Sequence, residues 1–151
     1  MNYLSKMQPI DPNTLFSIFE QGDEQVYDEN GVLDTLDNPF VLMGMVLRGL
    51  ENYHMMDMMY MKQYPQQYKN VRKLTRYKYY NKLYGYLTRI DFTKYENIYK
   101  IGTSFGKEDV LHGLNKLLYY YESLEQYEKC AVIKKYCDLL KKTKVTVGTL
   151  I

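Results

Sequence analysis

The densest cluster of side chains that could do chemistry lies in residues 69–82, which hold six basic residues and no acidic one. Four of the bases fall on one helical stripe, and tyrosines are interleaved with them. Such a stripe suits contact with phosphates and stacking on bases. The candidate nucleic-acid-binding residues are Lys69, Arg72, Lys73, Arg76, Tyr77 and Tyr80. A solvated face, or a face docked on an acidic segment of the same chain, would give the same pattern.

Methionine and tyrosine are the other abundant functional side chains, with 9 Met and 18 Tyr in the chain. Methionine fills irregular cores and adaptable binding surfaces, and both residue types are enriched at protein interfaces. Because this amount exceeds what a six-helix core of this size buries, we predict a protein partner or self-association. The candidate interface residues are Met55, Met56, Met58, Met59, Tyr119, Tyr120 and Tyr127.

Several patterns resemble chemical sites but lack a required part. Residues 102–107 have three residues between their glycines instead of four, and Glu108 stands where a phosphate loop needs Ser or Thr. Residues 26–37 echo a calcium loop without its first ligand or its final Glu. His54 and Asp57 have no further ligand at metal-binding spacing. We therefore expect no catalytic residue, no metal and no cofactor, and so no enzyme.

The elements that position these residues are predicted to be helices. Asn38-Pro39 resembles a capped helix start, Pro65 ends that helix, and Thr93-Lys94-Tyr95-Glu96 resembles a capping box. The apolar spacing predicts helices over residues 11–22, 39–63, 66–90, 107–122 and 125–142, with a short one from Thr93 that Gly102 closes. Asn30-Gly31 favours a small hairpin, and residues 145–151 an edge strand or a loose tail. The predicted fold class is mainly α, with five or six helices.

Charge divides the chain into two parts. Residues 1–47 carry one basic and eight acidic residues, whereas residues 48–151 carry nineteen basic and ten acidic ones. We therefore predict an acidic N-terminal arm over residues 1–38 and a helical domain over residues 39–151. Such asymmetry is typical of a body that binds polyanions, and equally of two parts that associate as charge complements.

The C-terminal region predicts a helical hairpin. Cys130 and Cys137 share a helix face about 10 Å apart, which is too far for a disulfide, so they read as buried thiols. Ala131 is the only alanine in the chain. Because close helix packing needs a small residue, we predict that Leu117, Ala131 and Ile133 pack where the last two helices cross.

Residues 126–140 resemble the second helix of the UVR motif of excision-repair proteins, a likeness that covers about 30 residues with the preceding helix. That motif runs aromatic-Glu-x-Ala-Ala, then an apolar residue, Arg-Asp and two further apolar positions. Cys130 replaces its first Ala, Cys137 an Ile, and Lys134-Lys135 the Arg-Asp pair. The resemblance implies a helical hairpin that associates with another hairpin. The matching residues are Tyr127, Glu128, Ala131, Ile133 and Leu140.

These observations favour a non-catalytic helical protein–protein interaction module. The Lys-, Tyr- and Asn-rich, Ala-poor composition indicates an A/T-rich genome, which a virus, a phage or a low-GC bacterium would fit. A viral or phage accessory or assembly component is the leading interpretation. The alternative is a nucleic-acid-binding accessory factor of replication or transcription, weakly sequence-specific because the chain has only four arginines. Two cysteines and no visible secretory signal or membrane span predict a cytoplasmic protein, in the host cytoplasm or virion if viral.

Overall fold

The protein is mainly α-helical, as predicted. The computed structural model describes residues 37–143, and no strand occurs within that range. Its helices are α1 (Pro39–Gln63), α2 (Pro65–Thr88), α3 (Tyr95–Ile101), α4 (Lys107–Ser123) and α5 (Tyr127–Lys142), with a π-helical turn at Gly102–Gly106 between α3 and α4.

Prolines set the limits of the two long helices. The Phe40 N–H donates to Asn38 Oδ1 at 2.9 Å, so Asn38 caps α1 and Pro39 occupies its first turn, as the sequence predicts. Pro65 disfavours helical geometry in the residue before it, Tyr64. The helix α1 therefore ends at Gln63, and α2 begins at Pro65, directly after Tyr64.

The predicted capping box of the short helix α3 is wrong, whereas the helix ends at Ile101 with Gly102 as its C-cap, as predicted. The Thr93 hydroxyl and backbone N–H both donate to the Asp91 carboxylate, so Thr93 closes a local turn and Lys94 precedes the helix without a side-chain cap. Gly102 keeps helical geometry (φ −65°), so the chain continues through the π-helical turn. The break falls at Gly106, whose φ of +86° suits glycine.

The described part of the chain divides into two compact units. Unit 1 contains Glu51–Lys82, and unit 2 combines residues 37–50 with residues 83–143. Apolar side chains without solvent exposure fill the core of unit 2. They include Leu42, Met43, Val46, Leu87, Ile101, Leu114, Leu117, Tyr121, Ile133 and Leu140.

The predicted C-terminal helical hairpin is confirmed, because α4 and α5 pack against each other. Leu117 and Ile133 are fully buried, as predicted. The Lys107 ammonium donates to the carbonyl oxygens of Lys141 at 2.8 Å and of Thr143 at 3.1 Å. A cation at this helix end satisfies carbonyls that have no partner within the helix, and it complements the helix dipole.

Glycine, not alanine, permits close approach in unit 2. A Cβ on Gly113 would lie 2.5 Å from Leu47 Cδ2, and a Cβ on Gly49 would lie 2.5 Å from Leu83 Cδ2. Ala131 is exposed on α5. The prediction that Ala131 packs at the helix crossing is therefore wrong, because the contacts that need a small residue use positions without any side chain.

Other predictions lie outside the described residues. These are the helix over residues 11–22, the hairpin at Asn30-Gly31, the strand or tail over residues 145–151 and almost all of the acidic arm. The predicted boundary at residue 38 therefore stays a prediction. Within residues 37–143, no helix has the length and apolar character needed to cross a membrane.

Candidate functional site

Unit 1 presents an antiparallel helical hairpin, built from the C-terminal part of α1 and the N-terminal part of α2. The Tyr53 ring lies 5.4 Å from the rings of both Tyr79 and Tyr80, centroid to centroid. Nearer the reversal at Tyr64, the Tyr60 and Tyr68 rings stack at 5.5 Å. Because early residues of α1 meet late residues of α2, the two segments run in opposite directions.

A buried carboxylate joins the two helices of the hairpin. Asp57 Oδ1 accepts hydrogen bonds from Tyr68 Oη at 2.7 Å and Arg72 Nε at 2.8 Å, and Arg72 Nη2 donates to Oδ2 at 2.7 Å. Tyr53 Oη makes a longer contact with Oδ1, at 3.4 Å. This two-pronged Arg–carboxylate geometry is the strong form of the ion pair.

Protonation in this network is fixed at neutral pH. Burial alone would raise the pKa of the Asp57 carboxyl, but hydrogen bonds from Arg72 and Tyr68 outweigh it and hold that pKa below its usual value. Burial raises the pKa of both Tyr53 and Tyr68, and donation to Asp57 raises that of Tyr68 further. The network is therefore one carboxylate, one guanidinium and neutral tyrosines, which suits a structural clamp.

Sequence reasoning missed this clamp, although a signal was present. Asp57 is the only acidic residue between positions 52 and 90, and it follows Tyr53 by one helical turn. Arg72 was predicted to contact nucleic acid. The structure places its guanidinium on Asp57 instead, so Arg72 serves the hairpin itself.

The inward-facing residues define a basic side of the hairpin. Advancing by one residue along a helix turns the side-chain direction by about 100°. In an antiparallel pair, the residue that follows an inward-facing residue therefore lies on the same side of the pair in both helices. Lys69, Lys73 and Arg76 each follow an inward-facing residue of α2, so all three share this side. All three are exposed. We call this group, Lys69, Lys73 and Arg76, the basic side.

Neither of the tyrosines predicted to stack on bases is an exposed residue. Tyr80 is only 6% exposed, and the Arg76 guanidinium lies over its ring, 5.4 Å from the centroid. Tyr77 is half-buried. The cations of the predicted site therefore reach solvent, whereas Tyr80 belongs to the tyrosine packing between the helices.

The opposite side of the hairpin carries a group of apolar residues towards the reversal and Lys78 farther from it. Met56, Met59, Val71 and Leu74 each precede an inward-facing residue, so the same geometry places them together; we call them the apolar side. Leu74 is 46% exposed and Met59 42%, while Met56 and Val71 are half-buried. The apolar side therefore contains exposed apolar atoms from two different helices.

The remaining predicted interface residues divide into exposed and buried. Met55 and Met58 are exposed on α1, at 68% and 59%, and Met58 follows the inward-facing Asp57, so it lies on the same side as the basic residues. In unit 2, Tyr119 and Tyr127 are also well exposed, but Tyr120 is buried and its ring meets Tyr121 edge-on at 5.2 Å. Tyr120 therefore has a core position instead of the surface one predicted.

A crevice of about 300 Å³ in unit 2 lies beside a stacked pair of rings, Phe92 and Tyr136, whose centroids are 4.3 Å apart. Arg89 at its rim is paired with Asp37. Cys130 and Cys137 are free and buried, as predicted, and burial raises the pKa of both thiols. Among residues 37–143, no group of three or more His, Cys, Asp or Glu side chains is arranged to hold a metal ion.

Comparison with known proteins yields no relative. No protein-family model matches the chain, and neither a curated protein nor a solved structure matches it. The surfaces of the molecule are therefore the only indication of its function.

Proposed function

We propose that this chain is a non-catalytic helical protein–protein interaction module, whose partner-binding surface is the apolar side of the hairpin. One observation carries the proposal: Met59 of α1 and Leu74 of α2 are both substantially exposed and lie on the same side of the hairpin. Scattered exposed apolar residues are ordinary, but a group shared by two helices is typical of a docking surface.

The chemistry of the apolar side indicates its partner. Two antiparallel helices leave a shallow channel between them, and an amphipathic helix is the element that fits such a channel. Methionine side chains adapt to the shape of a partner because they are unbranched and polarisable. We therefore expect the partner to insert apolar residues between Met59 and Leu74. An accessory or assembly role in a virus or phage, which the A/T-biased composition favours, agrees with such a surface.

Site-specific photocrosslinking tests the proposal in cells that make the protein. A photoreactive amino acid at Leu74 should give a discrete crosslinked species, and adding Met59→Glu should weaken it at least about tenfold, because a charge would enter an apolar contact. The same photoreactive residue at Tyr95, an exposed aromatic of unit 2, is the matched control.

The mass of the crosslinked species identifies the kind of partner. A species of twice the chain mass, together with a dimer in light scattering, indicates self-association; another mass indicates a different protein. If Leu74 crosslinks no better than Tyr95, or if Met59→Glu leaves the crosslink unchanged, the apolar side is not a docking surface and the proposal is refuted.

A further inference from the structure

We propose that the basic side of the hairpin binds the phosphate backbone of nucleic acid. Lys69, Lys73 and Arg76 are exposed there, and the rise of α2 spreads them over about 10 Å in a nearly straight row. This side lies opposite the apolar side, so the inference is independent of the protein-docking proposal.

The charge of the hairpin supports an anionic ligand. Residues 51–82 contain seven basic and two acidic residues. One of the acids, Asp57, is already neutralised by Arg72. Glu51 is the other, and it lies at the end of the hairpin away from the reversal. Lys69 and Lys73 are therefore exposed without an ion pair to either acidic side chain of Glu51–Lys82, whereas the charge of Arg76 already acts on Asp57.

The regularity of the row favours nucleic acid over an acidic protein. A nucleic-acid backbone offers an unbroken series of phosphates, so each cation meets one in any register. An acidic protein surface offers isolated carboxylates, which would require a matched arrangement. Lys69 and Lys73, one helical turn apart, are the residues on which this contact depends.

The structure also indicates which contacts to nucleic-acid bases the basic side lacks. Arg72, whose guanidinium could have bound a base edge in two places, is committed to Asp57. Tyr80 is buried, so it offers no platform for stacking. We therefore expect binding through the backbone alone, independent of sequence and at least as strong for duplex as for single-stranded DNA.

Titration of the full chain against labelled duplex DNA over a salt series tests the inference. Phosphate contacts by Lys69 and Lys73 should make the affinity fall at least about 12-fold between about 50 and 200 mM salt. The double variant Lys69→Gln/Lys73→Gln should bind more weakly at low salt, and its affinity should fall about 12-fold less than that of the parent over the same range. Lys69→Arg/Lys73→Arg should restore the steep dependence, because both charges return.

A matched control removes the same charge elsewhere. Lys116 and Lys135 are exposed on α4 and α5, and Lys116→Gln/Lys135→Gln should keep the salt dependence of the parent. Circular dichroism of each variant confirms that it is folded. The inference is overturned if the parent does not bind DNA at low salt, or if Lys69→Gln/Lys73→Gln binds like the parent. It is equally overturned if polyglutamate or anionic lipid vesicles bind more tightly than DNA.

Discussion

Replacing Asp57 by Asn tests whether the buried carboxylate holds the hairpin together. The substitution keeps the shape of the side chain and removes its charge. Asp57 is the acceptor of both Arg72 bonds and of the short Tyr68 bond, so the change affects the main polar connection between α1 and α2. We expect a clear loss of stability in unit 1.

The size of the loss follows from the geometry. A hydrogen bond to a charged group contributes roughly 1.5–3 kcal/mol, and three short bonds end on Asp57. Asn retains one acceptor oxygen, and the Arg72 side chain is 44% exposed, so water recovers part of what is lost. After that discount, the free energy of unfolding should fall by about 2 kcal/mol.

Amide hydrogen exchange is the appropriate assay, because it reports residues 51–82 separately from residues 83–143. In the Asp57→Asn variant, protection should fall in the hairpin and change little in α4 and α5. Asp138→Asn, which removes an exposed charge from α5, should stay within about 0.5 kcal/mol of the parent. If the stability of the Asp57→Asn variant also stays within about 0.5 kcal/mol of the parent, the network does not stabilise the hairpin.

Acidification should reproduce the same effect in the parent. The folded-state pKa of Asp57 lies below its ordinary value, so its contribution is complete above the unfolded-state pKa of about 4. As the pH falls from there through the folded-state pKa, the unfolded state binds the proton more readily and the contribution disappears. The difference in protection between the parent and Asp57→Asn should therefore be constant from about pH 7 to 5 and shrink below about pH 4.

Three further substitutions test the packing of unit 2 by thermal or urea denaturation. Lys107→Met removes the donor at the C-terminal carbonyls of α5 and should cost about 1 kcal/mol; an unchanged melting curve would contradict the capping role. Ala131→Leu should shift stability by less than about 0.5 kcal/mol, since the site is exposed, and a larger loss would show that the site is packed. Gly113→Leu should lower stability by about 1–3 kcal/mol, because its side chain would collide with Leu47. Gly85→Leu is the control, since Gly85 has open space around it, and it should not lower stability in this way. Equal losses in the two variants would show that the collision is not the cause.

The helices could be predicted because their determinants are local. Asn38 and Pro39 begin α1, Pro65 separates it from α2, and the apolar spacing places α4 and α5. The mistakes arose where two local patterns competed. Thr93 fits a capping box equally well, but Asp91 offers it a nearer acceptor and closes a turn instead.

The surfaces could be predicted only in part, because exposure depends on pairing between distant residues. The stripe that contains Lys69 and Lys73 follows from helical periodicity alone. That Arg72 leaves this stripe could not be predicted, since it requires knowing that Asp57 lies across the hairpin, 15 residues away in sequence. Tyr80 is buried for a similar reason: it packs on Tyr53 of the other helix.

The division into units has a consequence for synthesis on the ribosome. The clamp in unit 1 joins residues 11 and 15 positions apart, whereas Asp37 and Arg89 of unit 2 are 52 apart. Because short separations close first, the hairpin can form while the second segment of unit 2 is still being translated. The apolar residues Leu42, Met43 and Val46 must wait for that segment, so they are the surface that a nascent chain exposes to chaperones.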